Sequence, residues 1–183
     1  MRWTQWLSGV VAHVALSDDL TAGRVFPLST MRVLVTVGST RFDALVETAL
    51  SQPVLSALSQ KGYSDIVIQC GNSRVDELGT TDVEGIVHKS GLDVKVWRFK
   101  PNLDEEYDAA DLVIGHAGLC PSPQFSLFAV NLVHDLGSGT ILEVLRRCKA
   151  LIIVPNPTLL DNHQEDMAHA MGTLGYAKAS TVK

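Results

Sequence analysis

The chain has 183 residues, of which 46% are apolar and 19% charged, a composition typical of one globular domain with a substantial core and not of a disordered segment. Its 15 basic and 20 acidic residues give a net charge of -5 without the basic stripe that nucleic-acid binding requires, so nucleic acid is excluded as an expected partner. The three cysteines are widely spaced and form no Cys-x-x-Cys or His/Cys cluster, so the sequence implies neither a disulfide framework nor a zinc site and favours a reducing cytosol.

Residues 1–30 precede the first clear strand and are predicted to be a leader that is disordered or non-native, because Met31 is followed at once by an apolar strand. Trp6 to Leu16 is the one stretch that could be mistaken for a membrane segment. It falls short of the ~20 apolar residues of a membrane helix. A signal peptide and a peripheral amphipathic anchor are the alternatives for this segment.

The first predicted elements are a strand, a turn and a helix. The apolar run from Arg32 to Val37 predicts a buried strand, and Gly38-Ser39-Thr40 predicts the turn after it. Asp43 is expected to cap the helix that follows. Pro53 predicts an irregularity in this helix, and Gly62 is expected to end it.

Further apolar runs alternate with helical patterns toward the end of the chain. Residues 71–91, rich in Gly, Ser, Thr, Asp and Glu, are expected to form an exposed excursion of low structural content. The alternation predicts an α/β fold, a Rossmann-like parallel sheet with helices on both faces that binds ligands where its strands end. The remaining predicted strands are Asp65–Cys70, Leu92–Phe99, Asp111–Gly115, Ala150–Val154 and Tyr176–Ala179, and the helices are Gly139–Arg147 and Asn162–Met171.

A phosphate-binding signature is present in two separated pieces. Val113 to Gly118 reads as a strand that ends in His-Ala-Gly, and Ser138 to Glu143 reads as a Ser-Gly-Thr turn that enters a helix. Joined, they direct several backbone N–H groups at one point, with the positive end of the helix behind them, and such a point suits a pyrophosphate. Glu143 lies about one turn beyond Thr140, where its carboxylate can accept hydrogen bonds from ribose hydroxyls.

The stretch between the two pieces has a different character. Gly118 to Leu136 lacks helical periodicity and places Pro121 and Pro123 where a tight strand-to-helix turn is expected. Its removal joins the pieces without a break, and codons at its two ends can supply the GT and AG of splice sites. We therefore predict a domain over 31–183 interrupted by an insertion at 118–136, which is either a retained intron or an authentic surface loop.

With that stretch set aside, residues from Met31 to about Ala179 resemble the cytosolic catalytic subunit of the eukaryotic two-subunit N-acetylglucosaminyltransferase of dolichol-linked oligosaccharide synthesis. They are also similar to the C-terminal, donor-binding half of the bacterial lipid-linked N-acetylglucosaminyltransferase of peptidoglycan synthesis, a GT-B enzyme. Four segments carry the resemblance: Val35 to Asp43, Leu112 to Gly118, Ser138 to Glu143, and Val154 to Gln164.

The resemblance implies UDP-N-acetylglucosamine as the donor and N-acetylglucosaminyl-pyrophosphoryl-dolichol as the acceptor. It implies a membrane-anchored, acceptor-binding partner subunit, which recruits this chain from the cytoplasm to the cytosolic face of the endoplasmic reticulum and without which the chain is inactive. No cofactor and no metal site are expected, because no Asp-x-Asp motif occurs.

The resemblance also assigns roles to individual residues. Backbone and hydroxyl groups in 38–40 and 137–140 would surround the diphosphate, while Glu143 would hold the ribose and residues 99–100 would hold the uracil. The residues expected to bind the donor are Gly38, Ser39, Thr40, Phe99, Lys100, Gly118, Gly137, Ser138, Gly139, Thr140 and Glu143. The expected catalytic set is His116, which would contact the donor or support the loop, with Asn162, His163 and Gln164, which would face the sugar hydroxyls.

Each of these residues has a purely structural alternative. His116 could be a core histidine, Glu143 an exposed helix residue, and Asn162 to Gln164 the start of a helix that Asp161 caps. A nucleotide-sugar or partner-binding module without turnover is the rival function. A dehydrogenase is disfavoured because no Gly-x-Gly-x-x-Gly follows the first strand.

Overall fold

The computed structural model describes residues 30–75, 85–116, 140–158 and 163–182, and the leader and the predicted insertion lie outside these ranges. The described helices include none with the length and apolar character needed to cross a bilayer. In chain order the elements are β1 Met31–Thr36, α1 Asp43–Leu50, α2 Gln52–Gln60, β2 Tyr63–Gln69, β3 Gly85–Lys89, β4 Leu92–Trp97, α3 Asp104–Ala109, β5 Leu112–His116, α4 Thr140–Arg146, β6 Ala150–Val154, α5 His163–Thr173 and β7 Lys178–Ala179.

The described strands form one sheet in the order β3-β4-β2-β1-β5-β6-β7, and all neighbours pair in parallel except β3 and β4. From the central strand β1 the chain builds outward through β2 and β4, then returns to place β5 on the other side of β1. This reversal between β1 and β5 is the point at which open α/β sheets leave a crevice for ligands. The predicted Rossmann-like parallel sheet is thereby confirmed.

Both faces of the sheet are buried, as the continuous apolar strands predict. Alternate strand residues such as Val33 and Val35 face α1 and α2, while Leu34 and Val113 face the side covered by α3, α4 and α5. Trp97 is 8% exposed and packs in the same cluster as Leu34 and Val113.

The predicted irregularity near Pro53 is a complete break between two helices. Ser51 is extended, with φ -67° and ψ 143°, and Pro53 stands in the first turn of α2, where its missing N–H removes no helical hydrogen bond. Gly62 follows α2 with φ 87°, a conformation that favours glycine, and its predicted role as a stop is confirmed.

The prediction that Asp43 caps the first helix is wrong. Phe42 occupies the N-cap position without a side-chain cap, and Asp43 is the first helical residue. Its carboxylate instead accepts hydrogen bonds from the Arg74 backbone N–H at 3.0 Å and from the Arg41 guanidinium. These bonds, that of Arg41 foremost, hold the pKa of Asp43 below its usual value, and they connect the start of α1 to the segment after β2.

The expectation of low structural content across 71–91 is also wrong, because Gly85–Lys89 forms the antiparallel edge strand β3. Ser90 and Gly91 have φ 57° and 79°, and Lys89 pairs with Leu92, so a two-residue turn closes a β3–β4 hairpin. The Ser-Gly pair was the available sequence signal. It was overlooked because β3 is largely exposed and lacks the apolar run of a central strand.

Candidate functional site

The candidate site lies at the carboxyl edge, the edge of the sheet at which the parallel strands end. The loop of residues 37–42, which follows β1 and is called the Gly38 loop here, meets the end of β5 and the start of α4 at this edge. The N–H groups of Val37 and Gly38 donate to Gln69, the last residue of β2, and His116 ends β5. This is the topological switch point described above.

The Gly38 loop is a tight turn with little freedom. Gly38 has φ 61°, a left-handed conformation that glycine adopts without strain. The Thr40 N–H donates to the Val37 carbonyl at 3.2 Å, and the Asn72 side chain donates to the Ser39 carbonyl at 2.8 Å. The turn is therefore held from both sides before any ligand arrives.

Gln69, at the end of β2, was not singled out from the sequence. Its side chain is 2% exposed, and all of its amide hydrogen bonds measure 2.7 Å. Its Oε1 accepts from the Thr36 hydroxyl and the Gly38 N–H, and its Nε2 donates to the Gly38 and Arg98 carbonyls. We call this arrangement the Gln69 clamp. It joins the ends of β1, β2 and β4.

Gly71 makes the close approach of the loops after β1 and β2 possible. A Cβ atom at this position would lie 2.2 Å from the Gly38 carbonyl oxygen, and Gly71 has φ 51°. The Arg98 guanidinium donates to the Gly71 carbonyl at 3.1 Å, and the buried Ser73 hydroxyl accepts from the Phe42 N–H at 2.8 Å. The segment after β2 is thus a rigid support for the Gly38 loop.

His116 lies beside the Gly38 loop. Its side chain is 7% exposed, and a Cβ atom built on Gly38 would come 3.8 Å from His116 Cε1. Its Nδ1 is buried without a hydrogen-bond partner among the described residues. Burial lowers the pKa of His116, so the ring is neutral at pH 7, with one nitrogen as a donor and the other as an acceptor.

Thr140 brings the second half of the split signature to the same place. It is the first residue of α4, and its methyl carbon lies 3.0 Å from the position that a Cβ would take on Gly115. The Tyr107 hydroxyl donates to the Thr140 hydroxyl at 3.4 Å. Gly115 and Thr140 therefore meet, as the joined signature predicts. Gly118, Gly137, Ser138 and Gly139 lie outside the described residues.

Glu143, the predicted ribose ligand, is already engaged in ion pairs. Its Oε1 accepts from the Arg146 guanidinium at 3.0 Å, and its Oε2 accepts from Arg147. Arg147 also contacts Asp108 at 2.8 Å, and its guanidinium lies 5.5 Å from the centre of the Tyr107 ring. The bond to Glu143 is the main reason that the pKa of Arg147 is raised. Glu143 thus has a fixed direction on α4.

The predicted uracil-binding pair follows β4 at the same edge. Phe99 is 54% exposed. The Lys100 ammonium forms an ion pair with Glu106 and lies 4.8 Å from the centre of the Trp97 ring. The Lys100 ammonium is therefore already paired within the protein. The predicted contact to uracil then rests on Phe99 and on backbone groups.

The last predicted cluster begins α5. Gln164 Oε1 accepts from the Asn156 N–H at 2.8 Å, and the Asn156 side chain donates to the Arg41 carbonyl at 3.2 Å. Asn156 is 3% exposed, so a buried chain of hydrogen bonds connects α5, the end of β6 and the Gly38 loop. His163 is the first residue of α5, its side chain is not described, and Asn162 lies outside the described residues.

Within the described ranges, no three histidine, cysteine, aspartate or glutamate side chains are grouped so that they could hold a metal ion. That the chain uses no metal and no cofactor stays a prediction from the sequence.

Residues 32–120 and 137–182 match the family profile described as "Glycosyltransferase family 28 C-terminal domain". Three curated relatives carry the name "UDP-N-acetylglucosamine transferase subunit ALG13". The Mus musculus protein is 32% identical over 79% of this chain and 10% of its own length. The Yarrowia lipolytica protein is 32% identical over 78% of this chain and 61% of its own length. The Cryptococcus neoformans (strain JEC21) protein is 31% identical over 82% of this chain and 78% of its own length. The chain thus spans a small part of the mammalian relative and most of the Cryptococcus one.

Two solved structures share the fold. The NMR solution structure of ALG13 superposes with a TM-score of 0.56 at 23% identity and covers 84% of this chain and 79% of that one. The crystal structure of Acinetobacter baumannii MurG superposes with a TM-score of 0.53 at 24% identity, and the match covers 88% of this chain and 38% of that one. The described sheet is therefore the one found in these proteins.

Proposed function

This chain belongs to the family of glycosyltransferase family 28 C-terminal domains, and from that premise we propose that it is the catalytic, donor-binding subunit of an N-acetylglucosaminyltransferase. The donor is UDP-N-acetylglucosamine. The acceptor is N-acetylglucosaminyl-pyrophosphoryl-dolichol, and the transfer is the second step of lipid-linked oligosaccharide synthesis. The names of the curated relatives support this proposal, because they include UDP-N-acetylglucosamine and describe those proteins as transferase subunits.

One observation carries this proposal: three segments that are far apart in the chain meet at the topological switch point. Gly38 lies beside His116, and Gly115 touches Thr140. A diphosphate is recognised by backbone N–H groups and neutral donors in a tight turn, and this edge of the sheet supplies both.

In the proposed reaction the bond between the anomeric carbon and the UDP oxygen breaks, and negative charge develops on the departing diphosphate. Fixed donors in the Gly38 loop and at Thr140 stabilise that charge without reorganisation. Neutral His116 donates a hydrogen bond from the nitrogen that carries its proton. A carboxylate can accept about four hydrogen bonds, so Glu143 can hold ribose hydroxyls while it retains its arginine partners.

The acceptor hydroxyl needs a base, because its proton must leave as the oxygen attacks the anomeric carbon. We assign that base, and the binding of the dolichol-linked acceptor, to a membrane-anchored partner subunit. The complex would then work at the cytosolic face of the endoplasmic reticulum, with this chain held there through the partner. Asn162, His163 and Gln164 would contact the transferred sugar from the donor side.

A non-catalytic nucleotide-sugar or partner-binding module is the second candidate. The observation in its favour is the break in the family match between residues 120 and 137, within the signature expected to contact the diphosphate. An insertion there could leave binding intact and remove turnover, since a misplacement of about 1 Å can cost about a hundredfold in rate.

Two measurements separate these functions. Titration calorimetry with UDP-N-acetylglucosamine tests binding, and transfer of radiolabelled sugar to the dolichol-linked acceptor tests turnover with and without the membrane partner. Transfer that requires both subunits supports the enzyme. Binding without transfer in the complete pair supports the module, and absence of binding contradicts the enzyme and a module that binds the nucleotide sugar. A matched chain that lacks 118–136 shows whether that segment belongs to the working form.

A further inference from the structure

The backbone N–H groups at the tip of the Gly38 loop differ in whether they are hydrogen-bonded within the protein. The Gly38 N–H is donated to Gln69 Oε1 at 2.7 Å, and the Thr40 N–H is donated to the Val37 carbonyl at 3.2 Å. The N–H of the exposed residue between them, Ser39, donates to none of the described residues. Of the three N–H groups at the tip of this turn, that of Ser39 is the one left for a ligand.

The direction of the Ser39 N–H follows from the peptide bond that it shares with Gly38. All described peptide bonds are trans, so the Gly38 carbonyl and the Ser39 N–H point in opposite directions. The Gly38 carbonyl points into the protein, where it accepts from Gln69 Nε2 at 2.7 Å. The Ser39 N–H therefore points away from Gln69, toward the outside of the carboxyl edge.

The geometry points to Gln69 as a positioning residue that fixes the Gly38–Ser39 peptide so that the Ser39 N–H is the anion donor at the tip of this loop, residues 38–40. The inference rests on the proposed function, because the anion is the diphosphate of the nucleotide sugar. Gln69 itself does not touch the ligand. It acts through the peptide plane, and its own amide is saturated by the four hydrogen bonds of the clamp.

Two further features fit a positioning role better than a role in stability alone. Gln69 holds Gly38 through both its N–H and its carbonyl, which restrains the peptide units on either side of that residue. Gly71 gives the inward-pointing Gly38 carbonyl the space that it occupies, since a Cβ at Gly71 would lie 2.2 Å from that oxygen. A flipped peptide would turn a carbonyl oxygen, instead of an N–H, toward the diphosphate.

The test is Gln69→Met in the full chain, which keeps the length of the side chain and removes its hydrogen bonds. UDP is titrated by calorimetry and uridine by NMR. Because a hydrogen bond to a charged group is at stake, we expect the UDP dissociation constant to rise about tenfold to a hundredfold. The uridine dissociation constant should stay within about twofold, since uridine carries no diphosphate.

Leu58→Ala is the matched control. Leu58 is fully buried on α2 and lies near the end that leads into the start of β2, at the opposite edge of the sheet. It should lower the melting temperature at least as much as Gln69→Met and leave both affinities unchanged. Equal UDP affinity in Gln69→Met and wild type would overturn the assignment. So would parallel losses for UDP and uridine, which would indicate general destabilisation.

An NMR titration of the wild-type chain gives a reading that does not depend on the folding of any variant. On addition of UDP, the Ser39 amide resonance should shift strongly, while those of Gly38 and Thr40 should shift little, because their N–H groups stay bonded within the protein. UDP binding with equal shifts at all three would overturn the role of Ser39 and leave the proposed function standing. No UDP binding by the wild type would overturn the proposed function and this inference with it.

Discussion

Gly71→Ala is expected to destabilise the protein by about 3–5 kcal/mol, because its methyl group would enter the space of the Gly38 carbonyl. A Cβ at Gly71 would lie 2.2 Å from that oxygen, whereas a carbon normally approaches a carbonyl oxygen to about 3.3 Å. The carbonyl must therefore retreat by about 1 Å. Its hydrogen bond from Gln69 Nε2, now 2.7 Å long, would be lost.

The expected loss of stability in Gly71→Ala is the sum of two contributions. The left-handed backbone, with φ 51° at Gly71, costs alanine about 1 kcal/mol. The lost hydrogen bond and the one Gln69 amide N–H that it leaves buried without a partner add about 2–4 kcal/mol. Gly62→Ala isolates the first part, because Gly62 has φ 87° and nothing within 4 Å of its would-be Cβ. This control should cost about 1 kcal/mol.

Urea unfolding followed by circular dichroism measures both variants, with the midpoint and the slope fitted separately. UDP affinity, measured on the folded variants, should fall for Gly71→Ala and stay unchanged for Gly62→Ala. If the two variants unfold within about 1 kcal/mol of each other, the Gly38 carbonyl moves without cost, and the rigid clamp inferred from the structure does not exist.

Three other changes probe the remainder of the site. Arg147→Met removes a contact to three carboxylates and should cost about 1 kcal/mol in urea unfolding at low salt; because salt screens the pairs with the exposed Asp104 and Asp108, an undiminished cost at 1 M salt would contradict this reason. His116→Gln tests the pH dependence: burial lowers the folded pKa below the unfolded value of about 6.5, so protons bind preferentially to the unfolded chain and stability falls as pH drops below that value. The variant should lose less stability than wild type between about pH 7 and 5, and equal slopes would show that His116 does not contribute. Gln164→Leu should cost about 1–2 kcal/mol by leaving the Asn156 N–H unpaired, whereas the exposed Gln52→Leu should stay within about 0.5 kcal/mol of wild type, and similar costs for both would remove the structural role of Gln164.

Much of the fold follows from local sequence patterns. The first strand was predicted as Arg32–Val37 and is Met31–Thr36, and the strand Ala150–Val154 has the predicted bounds. Burial on both faces of a parallel sheet demands continuous apolar runs, so these strands are visible without any knowledge of their neighbours. The edge strand β3 escaped this reasoning because one antiparallel neighbour, and not burial, holds it in place.

The residues of the candidate site likewise divide into those with a local sequence signal and those without one. Glycine in a turn after a strand, a histidine at a strand end and a Thr-x-x-Glu helix start are local signals, and they led to Gly38, His116, Thr140 and Glu143. Gln69 carries no local signal, since a glutamine at the end of an apolar strand reads as an ordinary strand residue. Its role depends on Gly38 and Arg98, which are 31 and 29 residues away along the chain.

The sequence by itself determined most of the central elements and their parallel arrangement, because these follow from short-range periodicity and from the residues of turns, while the resemblance of four segments indicated the family. Only the tertiary structure decided that, of the N–H groups of Gly38, Ser39 and Thr40, that of Ser39 has no partner among the described residues, and that Glu143 shares its carboxylate with two arginines. Hydrogen-bond saturation is a property of groups brought together across the sheet. It is therefore set by the register of β1, β2 and β4 and by the packing of α4, which no local pattern encodes.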